Sequence, residues 1–279
     1  MHMKAAIFAL ACFQPLVGRA SALHGLKKRL KAHNKLPVAA SPDAHPVADD
    51  ADTSIDWGEV WDGPIQHSGF LTFTGDREDA SQPEINTFFW YLPALNGDEE
   101  APLLIWLQGG PGGSSLYGMF EEIGPMGVDA NMTLYPRDPD NNWNQKYSLL
   151  FLDNPCGVGF SWSSSESCFV QDEQTVGSDL RNAMLQFYKM FPNLKQNDLY
   201  ITGESYAGKY VPAFSYTIFS ANQNLQPTDD EYINFKGLSV GDGAMSPENQ
   251  FFGFGDLLYN VAMINSRERQ VFDDYETKR

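Results

Sequence analysis

Basic residues are scarce in this 279-residue chain, which has 19 lysines and arginines against 36 aspartates and glutamates, a formal net charge of −17. Such a chain repels nucleic-acid phosphates and anionic membrane surfaces, so neither a nucleic acid nor a membrane is expected as a partner. The surplus of acid suits an acidic compartment, where carboxylates are partly protonated. The alternative is that the negative charge serves only to keep the protein soluble.

Apolar residues near the N-terminus form a run, Ala5–Val17, that is too short to cross a bilayer. Lys4 precedes this run and the small residues at 20–22 follow it, a pattern that predicts a cleaved signal peptide over residues 1–22. The alternative is an apolar segment packed on the domain. Residues 23–64 start with a basic cluster and become rich in proline, alanine and aspartate, which predicts a flexible leader, either a propeptide or a solvated tail.

Cysteine is also rare, and of the three cysteines Cys12 would leave with the signal peptide. Cys156 and Cys168 remain, and the sequence leaves open whether they form a disulfide in the oxidising secretory pathway or stay as two thiols. The sequon at Asn131 predicts a glycosylated surface loop. We therefore expect a secreted protein that is extracellular or lysosomal, two destinations that one sequon does not separate.

Regular structure is expected from about Ile65. Apolar residues between 176 and 191 recur every three or four positions, which predicts an amphipathic helix that ends before Pro192. Two β-rich segments precede a series in which strands and helices alternate, so we predict an α/β fold with a mostly parallel sheet and helices on both faces. The predicted strands are 68–74, 87–92, 102–107, 148–152, 198–202 and 235–240, and a second helix is predicted at 207–222.

The segment Gly203-Glu204-Ser205-Tyr206-Ala207-Gly208 lies where a predicted strand turns into a predicted helix. A nucleophilic serine needs this tight turn, with small residues two before and two after it, because the strand and helix backbones pass close together. Gly203 and Ala207 satisfy that demand. Gly237-Leu238-Ser239-Val240-Gly241 fits the same pattern, but Ser239 lies inside an apolar strand with no helix after it, so Ser205 is the candidate nucleophile.

A glycine-rich loop, Gln108-Gly109-Gly110-Pro111-Gly112-Gly113, follows the predicted strand that contains Trp106. Glycines let backbone amides turn toward a bound anion, and this position is typical of an oxyanion-hole loop. A flexible linker is the alternative, but a tryptophan-anchored strand before the loop and a proline inside it argue against one.

Four motifs occur in order along the chain, and together they make it resemble the serine carboxypeptidases, which have the α/β-hydrolase fold. They are W-L-x-G-G-P-G-x-S-S from Trp106, Gly124-Pro125 after two acids, Asp153-Asn154-Pro155 with the following glycines, and G-E-S-Y-A-G-K-Y-V-P from Gly203. Gln108 and Gly113 place the resemblance nearest the vitellogenic-like and lysosomal branch. The family often has asparagine and cysteine at those two positions, so one usual disulfide is absent.

The resemblance implies a role for each matched residue. Ser205 would be acylated, and the amides of Gly110 and Tyr206 would form the oxyanion hole. The C-terminal carboxylate of a peptide or protein substrate would be bound by Gln108, Glu122 and Glu204. Carboxyl groups that face a third carboxylate must share protons, which raises their pKa values and favours binding at low pH. No metal or cofactor is expected.

Histidine is missing where the resemblance requires it, after the nucleophile, because the triad order in this fold is serine, acid, histidine. The five histidines are His2, His24, His33, His45 and His67. We expect residues 65–245 to be the N-terminal part of the hydrolase domain and 246–279 to begin a helical cap, with the last strands absent. An incomplete gene product, a short isoform and the first chain of a two-chain enzyme would each explain this, the missing C-terminal half then being a partner.

The predicted function is therefore that of a serine carboxypeptidase whose isolated chain lacks its triad aspartate and histidine and is inactive. A non-catalytic secreted binding protein and an acyltransferase of the same fold are the alternatives. A lipase fits less well, because the glycine-rich loop starts with Gln108 instead of a histidine.

Overall fold

The computed structural model describes residues 54–55, 63–250 and 252–276. The predicted signal peptide and most of the predicted leader lie outside these residues. Nine strands are present among them: β1 (Ser54–Ile55), β2 (Gln66–Thr74), β3 (Glu84–Leu92), β4 (Leu103–Leu107), β5 (Met126–Val128), β6 (Leu134–Pro136), β7 (Ser148–Leu152), β8 (Leu199–Glu204) and β9 (Phe235–Gly241).

The described residues contain five α-helices, all in the second half of the chain. They are α1 (Glu173–Met190), α2 (Ala207–Asn222), α3 (Pro247–Gln250), α4 (Phe254–Asn260) and α5 (Ser266–Glu276). A π-helical turn spans Gly118–Glu122, and short 3₁₀ turns occupy Pro139–Asn141, Trp143–Gln145, Glu166–Cys168 and Pro192–Gln196. Asp172 caps α1 by accepting from the amide of Thr175 at 2.7 Å, and Phe191 ends the helix one residue before Pro192.

Seven strands form one mixed sheet in the order β1-β2-β3-β7-β4-β8-β9. β1, β2, β3 and β7 pair antiparallel with their neighbours, whereas β7, β4, β8 and β9 run parallel to one another. β5 and β6 form a separate antiparallel hairpin. The parallel strands carry their C-terminal ends to a common edge, which is where ligands bind in open α/β sheets.

Side chains alternate between the two faces of the sheet, and each face has its own hydrophobic cluster. Ile105 and Leu150 point to the face on which α1 and α2 both pack. Trp106 and Phe151 point to the other face, which is covered by the segment that contains the π-helical turn. Both long helices therefore share one face, because the apolar stripes of α1 and α2 belong to one continuous cluster.

Ordered structure begins earlier than the predicted Ile65, since β1 pairs with the first residues of β2. Residues 246–250 and 252–276 are largely helical, and α4 packs on α5, where an added Cβ at Gly255 would lie 2.6 Å from the Cβ of Phe272. The assignment of this region as the start of a cap remains a prediction.

Candidate active site

Ser205 sits at the turn between β8 and α2 with φ of 60°, a left-handed backbone that is rare for a residue other than glycine. Its amide donates to the carbonyl of Gly241 at 2.9 Å, and its carbonyl accepts from Gly208 and Ala244 at 2.9 Å each. The side chain is exposed. The turn is thus held by the end of β9 and by the loop after it, and the hydroxyl of Ser205 has no hydrogen-bond partner among the described residues.

Glycines let the loop after β4 contact this turn. A Cβ at Gly109 would lie 2.7 Å from both the Cβ of Ser205 and the amide nitrogen of Tyr206, and 2.8 Å from the carbonyl oxygen of Glu204. A Cβ at Gly203 would lie 2.5 Å from the carbonyl oxygen of Leu107. No larger residue fits at either position, so these two glycines set the spacing between nucleophile and loop.

Asp153 anchors the residues that directly follow the glycine-rich loop. Its buried carboxylate accepts hydrogen bonds from the hydroxyl of Ser114 at 2.5 Å, the amide of Ser115 at 3.1 Å and the amide of Phe160 at 2.8 Å. These bonds join the loops that follow β4 and β7. The motif that contains Asp153 was visible in the sequence, but this bracing role was not.

The amides of Gly110 and Tyr206 are the predicted oxyanion hole. Gly110 has φ of 124° and lies in the loop that contacts Ser205, and Tyr206 directly precedes the first residue of α2. Within the described residues, neither amide donates a hydrogen bond to another backbone group. Both are therefore available to an oxyanion, and the N-terminal end of α2 adds its positive dipole there.

Gln108, Glu122 and Glu204 form one cluster beside the nucleophile, as the resemblance implies. The indole nitrogen of Trp106 donates to Oε1 of Gln108 at 2.9 Å, which fixes the amide orientation. Nε2 of Gln108 then donates to Glu204 at 3.0 Å and to Glu122 at 3.4 Å. Burial, with the neighbouring Glu204 carboxyl as the next cause, raises the pKa of Glu122 to about 8.

A further carboxyl group, that of Glu173, contacts the residue after Ser205. The hydroxyl of Tyr206 donates to Oε1 of Glu173 at 3.2 Å, and the Tyr206 ring lies 5.2 Å from the ring of Tyr210. Burial raises the pKa of Glu173 above its ordinary value. This contact anchors the side chain of Tyr206, a predicted oxyanion-hole residue, to the start of α1. Sequence patterns did not single out Glu173, because an acid in the first turn of a helix is common.

His67 does not reach the nucleophile. It belongs to β2, four strands away from β8, which at about 4.8 Å per strand places it roughly 19 Å from that strand. Its ring lies 5.1 Å from the ring of Phe191 and 6.2 Å from that of Tyr91, and the residue is half-buried. The other four histidines lie outside the described residues.

Two predictions concern the surroundings of the site. A disulfide joins Cys156 and Cys168, whose Cα atoms are 6.0 Å apart, in the loop after β7. Asn131 is exposed in the turn between β5 and β6, and its glycosylation remains a prediction. In the described ranges, no helix is long and apolar enough to cross a bilayer, and no group of acidic, histidine or cysteine side chains is arranged to bind a metal ion.

Residues 63–278 match the family model described as serine carboxypeptidase. The chain belongs to the serine carboxypeptidase family. It is 42% identical over 206 residues to the human probable serine carboxypeptidase CPVL, and 43% identical over 208 residues to the vitellogenic carboxypeptidase of Aedes aegypti. These matches cover 74% and 75% of the chain but 41% of each relative, so the chain spans about two fifths of their length.

A solved structure of the family supports the fold assignment. The chain matches the prohormone-processing carboxypeptidase Kex1 of Saccharomyces cerevisiae with a TM-score of 0.65 and 30% identity, over 73% of this chain and 44% of that one. The predicted α/β-hydrolase fold is therefore confirmed. The venom serine carboxypeptidase of Apis mellifera, 42% identical over 210 residues, shows that the relatives include a venom protein.

Proposed function

We propose that Ser205 is the nucleophile of a serine-type carboxypeptidase site that removes C-terminal residues from peptides or proteins. The observation that carries this proposal is the cluster of Gln108, Glu122 and Glu204 directly beside the strained serine turn. A protonated Glu122 donates to a substrate carboxylate, and the amide of Gln108 donates as well. The C-terminal carboxylate of a bound peptide is thereby placed one amino acid away from the peptide carbonyl that Ser205 attacks.

The proposed chemistry has two steps. The hydroxyl oxygen of Ser205 attacks the last peptide carbonyl, the oxyanion is stabilised by the two amides, and the C–N bond breaks to release the C-terminal amino acid. Water then hydrolyses the acyl-serine ester and regenerates the hydroxyl. Both steps need a base that takes the proton from the attacking oxygen and returns it to the leaving group.

The described residues place no histidine beside Ser205, so the base has to come from outside them. The four histidines outside them all precede Ser205, contrary to the triad order of this fold. We therefore propose that a polypeptide of these 279 residues alone is not acylated, since loss of triad members costs about four to six powers of ten in rate. This observation favours a second candidate function, a non-catalytic protein that still binds free C-termini. The disulfide and the venom relative support a place in the secretory pathway, either extracellular or lysosomal.

A fluorophosphonate probe tests this proposal, because it reacts only with an activated serine. We expect no labelling of the folded chain near pH 5, together with tighter binding of a labelled peptide acid than of its C-terminal amide. Labelling that is lost in Ser205→Ala would show that a base reaches the serine and that the isolated chain is catalytic. Equal binding of acid and amide would refute the carboxylate subsite.

A further inference from the structure

Arg137 is an uncommitted cation whose charge reaches the carboxylate cluster. It follows β6, and its amide donates to the carbonyl of Pro125 at 2.8 Å, which holds it against the segment that leads from Glu122 into β5. Among the described residues its guanidinium has no carboxylate within ion-pair distance. Its Nη1 is shielded from solvent and has no hydrogen-bond acceptor. Buried guanidinium nitrogens are normally paired, so this one has an unused donor.

Glu122 presents the complementary feature. Its Oε2 is also shielded from solvent and without a hydrogen-bond partner in the described structure. Arg137 is the one cation there whose charge acts on Glu122, and it lowers the pKa of that carboxyl against the stronger effect of burial. Yet the two side chains form no ion pair. The charge of Arg137 thus reaches a carboxyl group that has an unsatisfied oxygen, and the two side chains do not pair.

We propose that Arg137 is a further ligand-binding residue of the carboxylate subsite and pairs with the C-terminal carboxylate of the bound peptide. This inference rests on the proposed function, since it assumes that a free C-terminus occupies the cluster. Without Arg137 the subsite would offer a carboxylate one amide and two carboxyl groups, with no formal positive charge. A planar guanidinium is the group best suited to grip a carboxylate through two N–H donors.

Other charged groups near the serine do not take this role. Lys209 acts on Glu173 and not on the cluster, and its ammonium donates to the carbonyl of Met245 at 2.9 Å. Arg77 is fully engaged with Asp179 and three carbonyls. The only uncommitted cation beside the cluster in the described structure is therefore Arg137.

The test compares binding of an N-terminally fluorescent tripeptide acid with that of its C-terminal amide by anisotropy near pH 6. We expect Arg137→Met to weaken binding of the acid about tenfold and to leave binding of the amide unchanged. Arg137→Lys keeps the positive charge but loses the paired N–H donors of the guanidinium, so its affinity for the acid should lie between those of the unaltered chain and Arg137→Met. Arg181→Met is the matched control, because Arg181 pairs with the exposed Glu231 on the surface of α1.

Measurements above pH 8 separate direct binding from an indirect effect on Glu122. If Arg137 acted only by lowering the pKa of Glu122, its removal would keep Glu122 protonated to higher pH and strengthen binding of the acid there. That result, or a wild-type affinity in Arg137→Met, would overturn the inference while the proposed function stands. Equal binding of acid and amide by the unaltered chain would overturn both. Should the methionine variant not fold, Arg137→Lys replaces it, and an unchanged affinity for the acid would again overturn the inference.

Discussion

At the scale of single residues, the site is dominated by one amide shared between two carboxyl groups. Nε2 of Gln108 lies 3.0 Å from Glu204 and 3.4 Å from Glu122, and two negative charges so close together are unfavourable in a partly buried site. Glu122 takes up the proton, with a pKa of about 8. The cluster can accordingly donate a hydrogen bond at neutral pH, which a pair of ionised carboxylates cannot.

The proton on Glu122 makes stability depend on pH. Its ordinary pKa is 4.5 and its folded pKa is about 8, so between these values the folded state holds a proton that the unfolded chain has released. The free energy of unfolding should fall as pH rises through this window. We expect Glu122→Gln to remove this fall, a relative gain of roughly 1–2 kcal/mol at pH 8 once solvent screening is allowed for.

Urea unfolding at several pH values between about 5 and 8 measures this effect. The control is Glu100→Gln, which removes a carboxylate from an exposed turn and should leave the slope unchanged. Parallel pH curves for the unaltered chain and Glu122→Gln would mean that Glu122 titrates near its ordinary value. A proton held by Glu122 beside Glu204 in this pH range would then be excluded.

At the scale of elements, the strands and long helices could be predicted because their apolar periods are clear. The strand Ser148–Leu152 and the helix Ala207–Asn222 have the predicted bounds, and the other six predicted elements differ by at most three residues at either end. The hairpin of β5 and β6 was not predicted. The two-residue β1 was missed, because its partner strand and not its own composition determines it. The period of the apolar residues also does not tell which face of a sheet a helix covers. In the structure α1 and α2 pack on the same face.

The candidate site was predictable where backbone chemistry demands a residue type. Ser205 and the glycines around it follow from the tight turn and the close approach of two backbones. Arg137 and Glu173 could not be found in this way. Their positions depend on how a hairpin and a helix start pack beside the serine, and an arginine or glutamate in such segments carries no sequence signal of its own.

One nearly buried ion pair joins the loop between β2 and β3, helix α1 and the disulfide loop. Arg77, in the loop between β2 and β3, pairs with Asp179 of α1 through two bonds of 3.0 and 2.9 Å, and both side chains are nearly buried. The same guanidinium donates to the carbonyls of Ser167 and Cys168 at 3.0 and 2.9 Å. The disulfide loop is thus attached to α1 through a side chain, in addition to its own cross-link.

Removal of this arginine should be costly. Arg77→Met leaves the Asp179 carboxylate buried without its partner, and we expect the free energy of unfolding to fall by about 3–5 kcal/mol. The double variant with Asp179→Leu should recover a large part of that loss. Arg181→Met breaks the more exposed pair with Glu231 and should cost less than about 1 kcal/mol. Similar losses for Arg77→Met and Arg181→Met in urea unfolding would contradict a buried network.

At the scale of the whole molecule, the sheet organises every part of the site along one edge. The glycine-rich loop follows β4, the serine turn follows β8, and the loop after β9 hydrogen-bonds to that turn. Arg137 follows the hairpin of β5 and β6, on the face of the sheet that Trp106 and Phe151 point to. The same sheet has an unpaired side at β9. Within the described residues β9 pairs only with β8, so its outer edge is an open row of backbone donors and acceptors.

Apolar side chains surround that edge. Leu238 of β9 is 46% exposed, and its register partner Ile201 belongs to the cluster that α2 covers. On α2 itself, Tyr216 and Phe219 are 71% and 55% exposed. An edge strand flanked by exposed apolar groups tends to pair with another chain, so we expect the 279-residue polypeptide to associate as its concentration rises.

Leu238→Lys should weaken this association, because a charge on an edge strand must be desolvated when another strand pairs with it. Sedimentation velocity over a concentration series should show the variant shifted toward monomer. Ile65→Lys is the matched control, since Ile65 is 64% exposed just before β2, at the other end of the sheet. Equal association of Leu238→Lys and the unaltered chain would assign the contact to another surface. A monomer at every concentration would mean that β9 is protected in solution.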